Sequence, residues 1–142
     1  MLSLHHAHLF ATDVERSIEF WTRHFGAEVL ADETLMGARN VFLRVGEGRL
    51  HFYSQPPKHG GAGTVHHLGI ETDDLAALVV RLREAGVSLT DIRRHPQADY
   101  AMAQAPDGLL LELFQPHRDG VPATLAATGY FATLRDQPRT RS

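Results

Sequence analysis

Two residue pairs with one internal spacing constrain this chain more than any other feature. His6 and His51 are 45 residues apart, and so are His67 and Glu112. The pairs are offset by 61 residues, and the same offset carries His5 onto His66, Asp13 onto Asp74, Leu50 onto Leu111 and Tyr53 onto Phe114. Three imidazoles and a carboxylate are good ligands for a divalent ion. A duplicated fold would bring equivalent positions of its halves around a common axis. The chain is therefore read as a two-fold internal repeat whose halves jointly build one metal site from His6, His51, His67 and Glu112.

Each half has the same punctuation. Residues 2–11 read as an apolar strand, and Asp13 caps a helix over 14–25 with Val14, Ile18, Trp21 and Phe25 as its stripe. Gly26 ends it, and strands are expected near 28–33, 40–46 and 49–54, with Gly46-Glu47-Gly48 turning the last hairpin. The second half predicts a strand over 65–72 and a helix over 75–85 capped by Asp73 or Asp74, with Leu75, Leu78, Val79 and Leu82 facing inward. Strands near 87–93, 99–105 and 109–115 follow, the last pair joined at Pro106-Asp107-Gly108. The predicted fold is α+β: paired βαβββ modules forming a curved mixed sheet. The first module spans 1–54, a turn-rich linker 55–64, the second module 65–116 and a C-terminal extension 117–142, with a short helix at Thr124–Leu134.

Strand alternation sorts the candidates. Arg49, His51 and Tyr53 share one face and Leu50 and Phe52 the other; Leu110, Glu112 and Phe114 oppose Leu109, Leu111 and Leu113. The leucine face should pack on the helices, so His51 and Glu112 should point into the concave side. By the same rule His6 shares a face with His8, and His67 with Gly69. Six histidines, His5, His6, His8, His51, His66 and His67, are expected on strands, with His5 and His66 helix-facing or at an edge. His24, His59 and His117 read as solvated. The cost of burying a carboxylate predicts a metal or a cation beside Glu112, an arginine such as Arg44 or Arg49 being the alternative to the metal.

Composition narrows the partners. A net charge of −3 argues against nucleic acid. There is no apolar run of membrane-spanning length and no signal-peptide pattern at the N-terminus, so a cytoplasmic protein is expected. Without cysteine, any metal must be held by nitrogen and oxygen. Arg39, Arg44 and Arg49, if they line the pocket, would suit an anionic small molecule.

Three stretches together carry a family likeness: His6-Ala-His-Leu-Phe-Ala-Thr-Asp13 running into Glu15-Arg-Ser-Ile-Glu-Phe-Trp21, then His67-Leu-Gly-Ile-Glu-Thr-Asp73, then Ala105-Pro-Asp-Gly-Leu-Leu-Leu-Glu112. Over roughly residues 4–116 the chain resembles the vicinal oxygen chelate superfamily of glyoxalase I, bleomycin-resistance proteins, fosfomycin-resistance enzymes and extradiol dioxygenases. The resemblance implies paired βαβββ modules around a divalent metal (Ni, Co, Mn, Zn or Fe), with His6, His67 and Glu112 on ligand positions and His51 on the fourth. It also implies a homodimer.

The expected chemistry is Lewis-acid isomerase or lyase action on a small substrate with vicinal oxygens. Glu112 or His8 would serve as the base. His51 stands where glyoxalase I has a glutamate, which argues against that enzyme's substrate. An Fe(II) ring-cleaving dioxygenase is the alternative, on the strength of His95 and the Ala105-to-Glu112 run, but Met102 stands at that family's tyrosine position. The fosfomycin enzymes' Ser/Gly-rich loop is missing from His95-Pro-Gln-Ala-Asp-Tyr100. A non-catalytic drug-binding protein is the remaining alternative, and the retained ligand set argues against it.

Overall fold

The computed structural model describes residues 5–35, 37–57, 65–117, 119–120 and 123–127. Its elements run β1 (Ala7–Phe10), α1 (Val14–Phe25), β2 (Glu28–Leu35), β3 (Ala38–Val45), β4 (Gly48–Tyr53), β5 (Leu68–Glu71), α2 (Leu75–Glu84), β6 (Arg93–Arg94), β7 (Ala98–Gln104), a 3-10 turn (Pro106–Gly108), β8 (Leu110–Pro116) and α3 (Ala123–Ala126). The strands form two four-stranded mixed sheets, ordered β1-β4-β3-β2 and β5-β8-β7-β6. Each is the βαβββ module expected from the repeat, with its first strand parallel to its last and the other neighbours antiparallel. Tertiary contacts group the chain into two compact units. One runs to His66 and includes Ala105–Leu109; the other takes His67–Gln104 and the chain from Leu110 onward.

Local chemistry explains the helices. The Asp13 carboxylate accepts a hydrogen bond from the Arg16 amide at 3.0 Å, and Gly26 closes α1 at φ 62° with its N–H on the Trp21 carbonyl. Val14, Ser17, Phe20 and Trp21 are the buried face of α1, while Ile18 and Phe25 of the expected stripe are half-buried. In α2 the cap is Asp74, which accepts from the Ala77 amide at 3.0 Å, and the buried stripe is Leu75, Leu78, Val79 and Leu82 as expected. The Gln115 side chain of β8 accepts from the Leu75 amide at 2.9 Å, tying the start of α2 to its sheet. Alternation then fills each core: Val41, Leu43, Leu50 and Phe52 in the first unit, and Ala101, Ala103, Leu111 and Leu113 in the second.

Four elements differ from expectation: the strands expected over 2–11 and 65–72 are Ala7–Phe10 and Leu68–Glu71 among the described residues, and two others depart further. The strand expected over 87–93 is reduced to Arg93–Arg94 and a bridge between Leu89 and Ala103. Thr90 is the reason. Its hydroxyl accepts from the Met102 amide at 3.0 Å and donates to the Asp91 carbonyl, so a side chain takes the place of a ladder carbonyl. At the C-terminus, Ala123–Ala126 is helical, and the rest of the expected 124–134 helix lies outside the described residues, as does 58–64 of the linker. Among the described residues no helix is long and apolar enough to cross a membrane.

The hairpins are unequal. Leu50 and Leu111 are 61 apart, but their antiparallel partners Leu43 and Ala103 are 60 apart. The extra residue lies in the Ala105–Leu109 connection, where Asp107 takes a left-handed backbone (φ 62°) outside glycine's usual preserve. Its carboxylate accepts from the Thr12 amide at 3.1 Å, within the first unit. Arg39 makes a second polar tie there, reaching Asp32 across the strand pair and Glu15 on α1.

Asp107→Ala should lower unfolding stability by about 1–2 kcal/mol, losing an acceptor and a residue tolerant of φ > 0. Asp107→Asn, which keeps both properties, should stay near wild type in the same urea titration. The Arg39 guanidinium, hydrogen-bonded to Asp32, holds that carboxyl below the usual carboxylate range. A lowered folded pKa contributes stability above the ordinary carboxylate pKa of about 4, and that contribution is lost as pH falls through the folded value. The Tm gap between wild type and Arg39→Met should therefore be open at neutral pH and close in acid. A gap unchanged in acid would remove the ion pair from the account.

Candidate functional site

In the first unit the site is written by the register of β1 on β4. Ala7 pairs with Leu50, His8 with His51, Leu9 with Phe52 and Phe10 with Tyr53. Leu50 and Phe52 are buried beneath, so His8, His51 and Tyr53 share the opposite face. His6, two residues before His8, falls on that face too, its ring centroid 5.9 Å from that of His51. β3 adds Phe42, the register partner of His51, and Asn40, the partner of Tyr53.

His51 is held from three sides. Its ring stacks on His8 at 3.9 Å with planes 9° apart and on Phe42 at 4.3 Å with planes 20° apart. Its Nε2 lies 2.7 Å from Oδ1 of Asn40. Asn40 is itself only 5% exposed, one of two buried polar residues in the described structure. Burial, and then positive charge at His8 and at His6, pushes the His51 pKa below the ordinary imidazole value. The neutral ring so favoured is the form that can offer a lone pair to a metal or take up a proton.

The second unit repeats the register with other residues. Leu68 pairs with Leu111, Gly69 with Glu112 and Ile70 with Leu113. His67 again stands two positions before the residue beside the strand-four candidate, as His6 does. Where the first unit has the His8 ring, the second has Gly69, where a Cβ would lie 3.4 Å from the Phe114 ring. His67 Nε2 lies 2.7 Å from Glu112 Oε2, with both side chains about one-third exposed at 32% and 30%. The partner that relieves the burial cost of Glu112 is thus His67. Met102 is the register partner of Glu112.

The structure therefore places the sequence candidates in two sets: His6, His8 and His51 in one unit, and His67 with Glu112 in the other. Among the described residues no three His, Asp or Glu side chains gather as one ligand cluster. In the second unit an imidazole nitrogen and a carboxylate oxygen meet at His67 and Glu112, donor chemistry that suits a divalent ion.

Several expectations need correction. Only His8 and His51 of the six strand histidines lie within strands; His5, His6, His66 and His67 precede them. His5 does not face a helix: it is exposed, with Nδ1 3.0 Å from Nδ1 of His6. Arg39 does not line the histidine face, because its guanidinium is engaged by Asp32 and Glu15. Arg44 is paired with Glu28. Arg49, its register partner, is exposed on the histidine face. His24 packs edge-on against Phe20 at 5.1 Å, and His117 lies 3.2 Å from Asp99, so neither is simply solvated. His59 lies outside the described residues. Asn40 and Phe42 escaped the sequence reading. The available signal was an asparagine in the interior of an otherwise β-favouring run, where that residue is disfavoured without a partner.

A family model for the Glyoxalase/Bleomycin resistance protein/Dioxygenase superfamily matches residues 3–113. Similar solved structures include TnmS3, an antibiotic binding protein from Streptomyces sp. CB03234, with 26% identity, 82% of this chain and 99% of that one covered, and a TM-score of 0.68. SMU.1112c has 24% identity, with 80% and 98% covered and a TM-score of 0.70. The fosfomycin resistance protein FosX from Listeria monocytogenes has 15% identity, with 84% and 98% covered and a TM-score of 0.72; a mutant of FosX has been solved in complex with Mn(II) and 1S,2S-dihydroxypropylphosphonic acid. Among curated proteins no sequence matches the chain.

Proposed function

The chain belongs to the Glyoxalase/Bleomycin resistance protein/Dioxygenase superfamily, and from that premise we propose that it is a metal-dependent enzyme, an isomerase or lyase acting on a small molecule with two neighbouring oxygens. The observation that carries the reading is the 2.7 Å approach of His67 Nε2 to Glu112 Oε2. These residues stand at repeat positions matching His6 and His51 in the other unit.

We assign His6, His51, His67 and Glu112 as ligands of a divalent ion, chosen among Ni, Co, Mn, Zn and Fe. When bound, that ion supplies Lewis-acid polarisation of the substrate oxygens. The remaining work falls to side chains. An imidazole nitrogen of His8 takes the proton from the substrate's carbon acid, and the stacked His51 ring fixes where the His8 ring stands. Glu112 is the second candidate base of the proposal. Arg49, exposed on the same face as His51, is suited to an anionic group on the substrate.

A specific observation favours one other reading. The first unit lines its open face with Phe42, His51, His8 and Tyr53, with the His8 and Tyr53 rings edge-on at 5.7 Å. Such a row of rings also suits a protein that binds a planar molecule without transforming it, and TnmS3 is described as antibiotic binding.

Plasma mass spectrometry of the purified protein separates these readings. Near-stoichiometric Ni, Co, Mn or Zn in wild type, lost in Glu112→Ala, is the expected result. Iron with oxygen uptake on catechols would move the assignment to a ring-cleaving dioxygenase. No uptake of any of these ions would leave the binding reading. Once a substrate is in hand, His8→Gln should retain its metal and lose about 100-fold or more in turnover. Unchanged turnover would remove His8 as the base.

A further inference from the structure

Asn40 sits where an amide has no reason to be unless it is used. β3 is a core strand, with Val41 and Leu43 fully buried beside it. Burying an amide without partners is costly, yet Asn40 is 5% exposed. All its polar atoms are matched. Nδ2 donates to the Ala38 carbonyl at 3.0 Å and approaches the Leu35 carbonyl at 3.5 Å, while Oδ1 faces His51 Nε2 at 2.7 Å. The amide cannot be turned over, because that would set its oxygen against two carbonyl oxygens. With Oδ1 fixed as an acceptor, Nε2 of His51 must carry the hydrogen. In a neutral ring the lone pair then belongs to Nδ1. The stacked His8 and Phe42 rings hold the ring plane, so Asn40 selects the tautomer within a plane already set. The second unit has no counterpart of this device. Its residue at the corresponding register is Tyr100, the partner of Phe114 as Asn40 is of Tyr53. A carboxylate at Glu112 has no tautomer to choose.

We propose that Asn40 is a positioning residue that locks His51 as the Nε2–H tautomer and makes Nδ1 the atom through which His51 binds its metal. The metal half of this statement rests on the function proposed above; the tautomer half does not. A partner that fixes the tautomer of a ligating histidine typically changes metal affinity 10- to 100-fold when removed.

Long-range proton–nitrogen correlation spectra of the metal-free wild-type protein, at a pH where histidines are neutral, read the tautomer directly. His51 should show a protonated Nε2 and a bare Nδ1. In Asn40→Leu the two tautomers should mix, and calorimetric titration with Ni(II) alone should show affinity weakened about 10- to 100-fold at unchanged stoichiometry. Asn40→Asp, which keeps an acceptor oxygen for Nε2–H, should hold the tautomer but lose stability, because its second oxygen replaces the donor to the Ala38 and Leu35 carbonyls. A wild-type His51 protonated at Nδ1 overturns the proposal, and so does undiminished Ni(II) affinity in a folded Asn40→Leu. If Asn40→Leu does not fold, the wild-type spectrum alone carries the test. A locked tautomer in a wild-type protein that takes up none of Ni, Co, Mn, Zn or Fe supports the role of Asn40 at His51 and overturns the metal reading instead.

Discussion

The pairing of the first strand of each module with its fourth, in parallel and in one register, is the constraint on which the rest depends. It puts His8 beside His51 and Gly69 beside Glu112, and it sends Leu50, Phe52, Leu111 and Leu113 to the buried side. Because side chains alternate along a strand, sliding a pair by one residue would bury the imidazoles of the first module or the carboxylate of the second and expose the leucines. The apolar face, packed in each module against a helix capped by aspartate, makes that slip too costly. Core and candidate site are thus two outcomes of one registration, and neither can be moved without the other.

Much of this was legible in the residues. The helix bounds, the capping aspartates, the alternation in β4 and β8 and the duplication all follow from local rules, since a cap or an alternating face declares itself within a few positions. What escaped reading depends on neighbours remote in sequence. Nothing near His51 announces that Phe42 lies under its ring, because that contact comes from the β3–β4 register. Arg39 looked available for a substrate until the fold supplied Asp32 and Glu15. The loss of most of the strand expected at 87–93 turns on one hydroxyl, Thr90, which propensity treats as strand-favouring whether it faces solvent or competes with the ladder.

The two units divide the chemistry unequally. The first offers imidazoles hemmed in by rings, with His51 biased to neutrality by its surroundings. The second offers the carboxylate, with His67 beside it.

The unequal hairpins bear on how the duplicated halves have been free to diverge. A residue gained or lost inside a strand reverses the facing of everything beyond it; one gained or lost at the tip of a hairpin reverses nothing, because pairing resumes on the far side. The difference in length between the β3–β4 and β7–β8 connections lies at the tip, where Asp107 and its bond to the Thr12 amide accommodate it. An ungapped overlay of the two halves would set Asn40 against Ala101, a buried core residue, instead of Tyr100 on the other face. The second and third strands consequently look unrelated when the halves are laid over one another, although they occupy the same places in the architecture. A change of this kind leaves the scaffold intact while hiding the duplication in two strands of every four.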